Sequence, residues 1–174
     1  MWGKYVLGAI IVAVITHFAV INAAPGMLMG AAMKRLSHTA GVNTWRVADR
    51  VTAESRQIVR PSPDFAYSAC VYDLSRGPVT ISAAPWDAYW SLSLYSENTD
   101  NYFVIDDREA HYGAQITLVR AGRAHPEGAA TVVESPSQRG VALIRRLAPS
   151  TDTYAAAVQA AHGDVCASAG QAAG

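Results

Sequence analysis

One stretch of the sequence, residues 60–74, concentrates side chains that bind or act on polar ligands. It carries an arginine, two aspartates and two tyrosines, and a further tyrosine lies at position 95. A guanidinium, a carboxylate and phenols can together orient a polar ligand in a cleft. We therefore take as candidate ligand-binding residues Arg60, Asp64, Tyr67 and Tyr95. The alternative, which the residue order favours for Asp64, is structural, because an aspartate between a proline and an aromatic residue stabilises a turn.

The rest of the sequence carries no pattern of a catalytic or metal centre. The five histidines have no second histidine, cysteine or carboxylate at ligand spacing, so we expect no metal and no other cofactor. No G-x-S-x-G nucleophile motif is present, and the glycine-rich runs do not form a phosphate loop. No residue is therefore assigned a catalytic role.

Two cysteines, Cys70 and Cys166, lie near the two ends of the region that carries strand patterns. The economical interpretation is a single disulfide, which would close a loop of about 95 residues and lower unfolded-state entropy by on the order of 4–5 kcal/mol. Two unrelated buried thiols are the alternative. A disulfide would indicate a compartment outside the cytoplasm, where such bonds persist.

The first element that must position these residues is an apolar N-terminal segment, residues 5–21. Its polar rings are those of Tyr5 and His17. With Trp2 and residues 22–24 it reaches about the twenty residues that a helix needs to cross a bilayer. Signal peptides have a shorter apolar stretch and a small-residue cleavage site, which this segment matches poorly. We predict an uncleaved membrane anchor.

The orientation of this anchor is not decided by its flanking charges. Lys4 precedes the span, whereas Lys34 and Arg35 follow it by about ten residues, so the positive-inside rule is close to a tie. The cysteines favour one orientation, because a disulfide persists outside the cytoplasm. We predict a single-pass protein of a bacterial inner membrane with its C-terminal domain in the periplasm.

The span also carries candidate contacts to a membrane partner. His17 would be costly in lipid unless it met a partner or the interface, and an interfacial position at the helix end is the alternative. Small residues permit the close approach of a second helix. The candidates are Gly8 and Ala13, with Ala9 and Ala19 on the same surface.

Helical patterns are predicted to continue beyond the anchor. Pro25 and Gly26 are expected to end the span, because proline cannot continue the helical ladder. Residues 27–36 then suit a helix that lies along the interface or packs on a neighbouring membrane protein. Apolar residues recur at roughly helical intervals over 42–58, which predicts a short amphipathic helix or stalk.

After Pro61 the pattern becomes that of β-strands. Trp90, Leu92 and Leu94 alternate with polar or amphipathic residues, as in a strand with one buried face. Similar runs bounded by Gly, Pro, Asp, Asn or Ser predict further short strands. The predicted strands cover residues 68–72, 78–82, 89–95, 102–105, 114–119, 130–134 and 141–145.

An alanine-rich stretch at 152–161, preceded by possible capping residues, predicts a C-terminal helix that ends at Gly163.

The predicted fold is mainly β, an antiparallel sandwich or barrel-like domain with an N-terminal transmembrane helix and a short C-terminal helix. We divide the chain into an anchor at 1–25, a juxtamembrane and helical linker at 26–58, a β domain at 59–168 and a flexible tail at 169–174.

The polar and aromatic segment 60–74 belongs to a wider pattern, with G-P-V at 77–79, Y-W-S-L-S-L-Y at 89–95 and N-Y-F at 101–103. This pattern resembles the family catalogued as domain of unknown function 1254, over about residues 58 to 166. Short, membrane-anchored members with a cysteine at the Cys70 position and another near the end resemble this chain, which supports the disulfide by analogy. Ser62 stands where many larger members have asparagine, and those members continue into a companion domain.

Function is constrained more weakly than fold. The 14 basic and 14 acidic residues cancel, which excludes the basic patch of a nucleic-acid binder. The leading hypothesis is a non-enzymatic accessory or scaffold protein, with the lipid bilayer and an integral membrane protein as partners. A second is a module that binds an envelope glycan or lipid through aromatic side chains, and a third is a hydrolase-like enzyme that uses Arg60 and Asp64. The aromatic candidates are Tyr67, Tyr89, Trp90, Tyr95 and Tyr102.

Overall fold

The computed structural model describes residues 2–52, 54–55, 61–129 and 131–168. Within these residues the chain forms a long helix, eight strands, a short helix and a final strand. The elements are α1 (Gly3–Ala40), β1 (Trp45–Val47), β2 (Phe65–Asp73), β3 (Val79–Ala83), β4 (Trp90–Ser96), β5 (Asn101–Asp106), β6 (Ala114–Arg120), β7 (Val132–Ser135), β8 (Arg139–Leu147), α2 (Thr151–Ala161) and β9 (Val165–Ser168).

The strands form two sheets. The five-stranded sheet has the order β1-β2-β8-β4-β5 and is antiparallel throughout. The four-stranded sheet has the order β7-β6-β3-β9, in which only the β6–β7 pair is parallel among the described strands. The mainly β fold with an N-terminal apolar helix and a short C-terminal helix is confirmed. Because the strands divide between two separate sheets, the domain is a sandwich and not a barrel.

The core lies between the inner faces of the two sheets. β4 contributes Trp90, Leu92 and Leu94, which alternate along the strand and are fully buried. β3 contributes Val79 and Ile81 from the facing sheet. The alternate residues Ser91 and Ser93 were expected on a wetter face but are also buried. Their side chains are short, and Arg145 on the neighbouring β8 reaches over to Ser91 Oγ, with its Nη2 atom 3.2 Å away.

α1 does not end where the sequence predicts. It continues through Pro25 to Ala40, because the loss of one backbone N–H is outweighed by tertiary packing of the following turns. Met33 is buried against Val71 and Val141 on the outer face of the five-stranded sheet, and Met29 and Leu36 pack beside it. The segment 27–36 therefore packs on the protein's own β domain.

The helix predicted over 42–58 is also wrong for the described residues of that range. Trp45–Val47 instead forms β1, which pairs with β2 along its free edge. Asn43 stabilises this pairing, because its side chain forms hydrogen bonds with both the backbone N–H and the backbone carbonyl of Asp73. The free hydrogen-bonding edge of β2 outweighs a helical periodicity that rests on few apolar residues.

The C-terminal helix is confirmed as α2, which begins with a capping box between Ser150 and Thr153. The strand after it, β9, escaped prediction, and it pairs with β3 at the edge of the four-stranded sheet. Residues 169–174, predicted as a flexible tail, lie outside the described residues. The boundaries of the four predicted segments stay a prediction.

The predicted disulfide is present between Cys70 and Cys166, whose Cα atoms are 6.7 Å apart. Cys70 belongs to β2 in one sheet and Cys166 to β9 in the other. The bond therefore joins the two layers of the sandwich and holds β9, the last described strand, on the core.

Candidate functional site

The predicted ligand-binding residues near the start of β2 are engaged in forming a turn. Asp64 is exposed, its N–H donates to Ser62 Oγ at 3.3 Å, and its carbonyl accepts from the Ala148 N–H at 2.7 Å. The Tyr67 hydroxyl accepts the Ser62 N–H at 2.9 Å. These contacts support the structural interpretation of Asp64. Arg60 lies outside the described residues, so its pairing with Asp64 stays a prediction.

Tyr95 lies on the same outer face of the five-stranded sheet, but far from Tyr67. Both β2 and β4 pair with β8, where Tyr67 is opposite Arg145 and Tyr95 is opposite Val141. The two tyrosines are thus offset by four residues along the strands and by two strand spacings across the sheet. These offsets correspond to about 13 Å and about 10 Å. Tyr67 and Tyr95 therefore do not line one cleft.

The aromatic residues proposed for ligand binding divide between the two faces of the sheet, as strand alternation requires. Trp90 is fully buried, and the partly buried Tyr102 donates its hydroxyl to Tyr72. Full burial counts against a role in binding. Tyr67, Tyr89 and Tyr95 remain partly exposed.

Part of the predicted region does come together as an aromatic patch. The Phe65 ring packs at 6.3 Å from the Tyr67 ring and at 6.0 Å from the Tyr89 ring, measured between centroids. The Arg145 guanidinium lies 6.0 Å from the centre of the Phe65 ring. We call Phe65, Tyr67, Tyr89 and Arg145 the aromatic patch. An aromatic surface beside a guanidinium can stack on a sugar ring or another flat group.

Two concave surfaces lie elsewhere, at the end of the sandwich that carries the β4–β5 turn. One, the turn cleft, has a volume of about 510 Å³, and all of its lining residues except Pro136 are polar or charged. A second cleft of about 450 Å³ adjoins it and shares Arg120 and Gln138. Neither is lined by Asp64, Tyr67 or Tyr95. The turn cleft is lined by Ser96, Glu97, Asn98, Asp100, Arg120, Pro136, Ser137, Gln138 and Arg139.

The wall of the turn cleft is held by its own hydrogen bonds. The Glu97 N–H donates to Ser137 Oγ at 3.1 Å, and the Ser137 hydroxyl donates to the Arg139 carbonyl at 2.6 Å. The side chain of Asn98 donates to Asp100 Oδ2 at 2.7 Å. These bonds connect the β4–β5 turn to the chain that enters β8, so both sides of the cleft are fixed relative to each other.

Two arginines, Arg120 and Arg139, line this cleft, and they differ in the residues with which they pair. Arg139 is paired with Asp73, with 3.4 Å between Nε and Oδ2. Arg120 is exposed and donates from Nη1 to the neutral side chain of Gln138 at 3.0 Å. Within the described residues no carboxylate lies within ion-pair distance of Arg120. Sequence reasoning missed the cleft, because its two sides meet only through the register that sets Ser96 opposite Gly140.

Behind the cleft is a buried network of hydroxyl groups. Tyr72 Oη lies 3.0 Å from Ser135 Oγ and accepts from the Tyr102 hydroxyl at 3.0 Å. Burial, followed by the proximity of Tyr72, raises the pKa of Tyr102 well above the usual value for a phenol. The network joins β2, β5 and β7, and its role is to fix the end of the sandwich that carries the cleft.

A buried ion pair fixes the opposite end of β8. Arg146 and Asp164 are bidentate, with Nη2–Oδ1 at 2.6 Å and Nη1–Oδ2 at 2.9 Å. The Asp164 carboxylate also accepts the Ala84 N–H at 2.8 Å. These contacts pair the two charges and tie the chain after α2 to the loop after β3. In the described residues no group of three or more His, Cys, Asp or Glu side chains is arranged to hold a metal ion.

The candidate partner contacts all lie on the first half of α1. His17, Gly8 and Ala13 are exposed, as is the whole of the apolar segment around them. α1 is long and apolar enough to cross a membrane or to act as a signal sequence, and an 18-residue window of it has a mean hydropathy of 2.3. No contact among the residues that the structure describes covers this apolar surface.

The architecture defines a class of protein: a disulfide-linked β-sandwich preceded by one apolar helix of membrane-spanning length. The chain belongs to the family described as Protein of unknown function (DUF1254), whose pattern matches residues 42–166. This match confirms the resemblance drawn from the sequence motifs.

Comparison with one solved structure supports the same fold. The crystal structure of the VPA0106 protein from Vibrio parahaemolyticus aligns with a TM-score of 0.61 at 17% identity over 88% of this chain. The alignment covers 39% of the Vibrio chain, so this protein spans about two fifths of its length. An uncharacterized protein from Burkholderia cenocepacia aligns with a TM-score of 0.46 at 15% identity, over 66% of this chain and 35% of that one. No curated protein matches the sequence.

Proposed function

We propose that this protein is a membrane-anchored periplasmic accessory or scaffold protein that docks to an integral membrane protein complex. The observation that carries the proposal is the continuity of α1. Its first half is apolar and exposed, and its second half is packed on the sandwich through Met29, Met33 and Leu36. A ligand-binding module needs only a flexible tether. A helix packed on the domain instead holds the domain in one orientation to the bilayer, as a scaffold requires.

The periplasmic location is supported by two independent features. The apolar part of α1 suits a bilayer core about 30 Å thick, which takes about twenty helical residues. The disulfide between Cys70 and Cys166 suits an oxidising compartment. Together they favour a single-pass protein whose sandwich lies on the periplasmic side of a bacterial inner membrane.

The distribution of side-chain size around α1 supports helix docking. At about 100° per residue, Gly8, Ala9, Ala13 and Ala19 fall within an arc of about 140°. Tyr5, Val12, Thr16 and Val20 share this arc, whereas the rest of the circumference carries large side chains alone. The large residues are Leu7, Ile10, Ile11, Val14, Ile15, Phe18 and Ile21. Small residues allow another membrane helix to approach closely, and van der Waals packing then holds the pair.

The small-residue arc is also clear of the β domain. If the same helical geometry is continued, the side chains of Met29, Met33 and Leu36 point on average about 120° away from the centre of the small-residue arc. A partner helix on the small-residue arc would therefore not collide with the sandwich. His17 lies at the border of that arc, where it can donate or accept a hydrogen bond across a helix interface.

The test is extraction of the protein in a mild detergent at its native expression level, followed by sizing and mass spectrometry of whatever co-migrates without reductant. We expect a stoichiometric integral membrane protein. Gly8→Leu and Ala13→Leu should abolish this co-migration, because a bulky side chain prevents close helix approach.

The matched control is Val14→Leu, which enlarges a side chain on the opposite arc and should leave the partner bound. A lone monomer from all samples would rule out the docking proposal. Equal loss of the partner in Val14→Leu would place the contact elsewhere on the helix.

The aromatic patch favours a second candidate function, the binding of an envelope glycan or lipid. Its support is the half-exposed stack of Phe65, Tyr67 and Tyr89 beside Arg145. Tyr89→Ala should weaken retention of the protein on immobilised envelope glycans, whereas Tyr112→Ala, at a fully solvated tyrosine, should not. No difference between the two would remove this candidate. For a hydrolase there is no comparable support, since Asp64 is exposed and lines neither cleft.

A further inference from the structure

The turn cleft lies beside the point at which α1 leaves its apolar segment. A methyl group at Gly26 would be 3.9 Å from the carbonyl oxygen of Glu97, which is part of the cleft lining. The β4–β5 turn therefore lies close to α1 at this residue. Other contacts of the helix, through Met29, Met33 and Leu36, lie farther along toward its C-terminal end.

This contact sets the height of the cleft relative to a bilayer. Gly26 follows the end of the apolar segment, at residues 21–24, by two to five positions, which corresponds to about 3–8 Å of helix. The polar layer on each side of a bilayer core is about 5–7 Å thick. With the anchor inserted, the turn cleft is at the level of the phospholipid headgroups.

The cleft presents both signs of charge. Arg120 meets only the neutral Gln138, and in the described residues the Glu97 carboxylate has no cationic partner within ion-pair distance. The Asp100 carboxylate accepts from Asn98 through one oxygen, which leaves the other oxygen available. A ligand that carries both an anionic and a cationic group would complement this arrangement.

We propose that the turn cleft binds the headgroup of a zwitterionic phospholipid that carries a phosphate and a primary ammonium. Arg120 takes the phosphate, and Glu97 and Asp100 take the ammonium. The proposal rests on the membrane anchorage proposed above, and it adds a lipid ligand to that function. A volume of about 510 Å³ is within the range of small-ligand sites.

The charges also predict which lipids are rejected. An anionic headgroup without an ammonium would meet the Arg120 guanidinium but would be repelled by Glu97 and Asp100. A choline headgroup has the right charges, but its methylated nitrogen cannot donate hydrogen bonds to carboxylates. The site should therefore prefer ethanolamine over both choline and glycerol headgroups.

The experiment uses the full chain in nanodiscs that contain phosphatidylcholine with minor fractions of phosphatidylethanolamine and phosphatidylglycerol. The lipids that remain bound after mild delipidation are counted by native mass spectrometry. We expect phosphatidylethanolamine to be enriched roughly tenfold over its bulk fraction, which corresponds to a preference of about 1.4 kcal/mol. Glu97→Gln and Arg120→Gln should each reduce the enrichment severalfold.

Arg123→Gln is the matched control, because Arg123 lines only the second cleft of the two and should leave the enrichment unchanged. Bulk-level phosphatidylethanolamine on a properly inserted protein would overturn the headgroup site and leave the anchor intact. Equal enrichment of phosphatidylglycerol would overturn it as well. Release of the lipid by an equal concentration of soluble phosphoethanolamine would show a small-molecule site instead. Failure of the chain to insert would overturn the anchorage itself.

Discussion

At the scale of single residues, the end of the sandwich near the turn cleft depends on a single glycine. Gly140 in β8 is opposite Tyr72 and Ser96. A Cβ atom at this position would overlap the carbonyl oxygen of Tyr95 and the hydroxyl of Tyr72. The absence of a side chain therefore allows the Tyr72 hydroxyl to reach Ser135 and Tyr102.

Gly140→Ala should lower the free energy of unfolding by about 1–3 kcal/mol, because the added methyl group forces the Tyr72 network apart. The change is measured as a lower midpoint of thermal unfolding for the protein in mild detergent. Gly30→Ala is the matched control, since nothing lies within 4 Å of its added Cβ, and there helix propensity should preserve or raise stability. Equal midpoints for the two variants would contradict this packing.

The raised pKa of Tyr102 predicts a pH dependence of stability. The neutral phenol is favoured in the folded state, so its contribution is fully present below the unfolded pKa of about 10 and is lost as pH rises above it. The measurement is the free energy of unfolding between pH 9 and pH 11. Tyr102→Phe should flatten the slope, whereas Tyr112→Phe, at an exposed tyrosine, should leave it as in the parent protein.

At the scale of elements, the sandwich is held by a packed helix on its outer face and by a covalent bond across its core. Met33 on α1 is buried against β2 and β8, and the Cys70–Cys166 bond joins β2 to β9. The helix was expected to end before this contact, and β9 escaped prediction altogether. Both elements depend on surfaces that the rest of the chain provides.

Met33→Ala should detach the second half of α1 from the sheet, at a cost of about 2–5 kcal/mol if the contact is as well packed as a core site. Spin labels on α1 and on β5 would then report a broader distance distribution. Leu28→Ala, at an exposed position on the same helix, should leave the distribution narrow. A narrow distribution in Met33→Ala would show that the helix is held by other contacts.

Removal of the disulfide should cost on the order of 4–5 kcal/mol in the chain-entropy model, because the bond closes a loop of nearly one hundred residues. The measurement is denaturant unfolding of the parent protein with and without a reductant. The double variant Cys70→Ala with Cys166→Ala should match the reduced parent and be insensitive to reductant. A midpoint that does not move on reduction would contradict the stabilising role.

At the scale of the whole molecule, the proposed topology makes the sandwich accessible from one side of the membrane. Protease added to intact spheroplasts should degrade the sandwich, because a periplasmic domain is exposed once the outer membrane is removed. A cytoplasmic marker protein should survive in the same sample. Protection of the sandwich until the spheroplasts are lysed would reverse the proposed orientation.

The sequence by itself determined features that depend on local composition and on period. Strand alternation at Trp90, Leu92 and Leu94 indicated a strand with these residues on its core-facing side, and the alanine-rich stretch after Ser150 indicated α2. The apolar N-terminal segment indicated a helix of membrane-spanning length. Cys70 and Cys166 were most economically explained by one disulfide. Each of these conclusions depends only on residues that are close together in the sequence, or on the single possible pairing of two cysteines.

Only the tertiary structure decided which distant residues meet. β1 forms because β2 offers a free edge, and α1 passes Pro25 because its later turns find an apolar surface on the sheet. The turn cleft exists because the register of β4 on β8 brings Glu97 close to Ser137. A slip of one residue would exchange the faces of a strand, and spacing along the chain does not encode that register. The candidate residues Tyr67 and Tyr95 were separated by the same register that built the cleft.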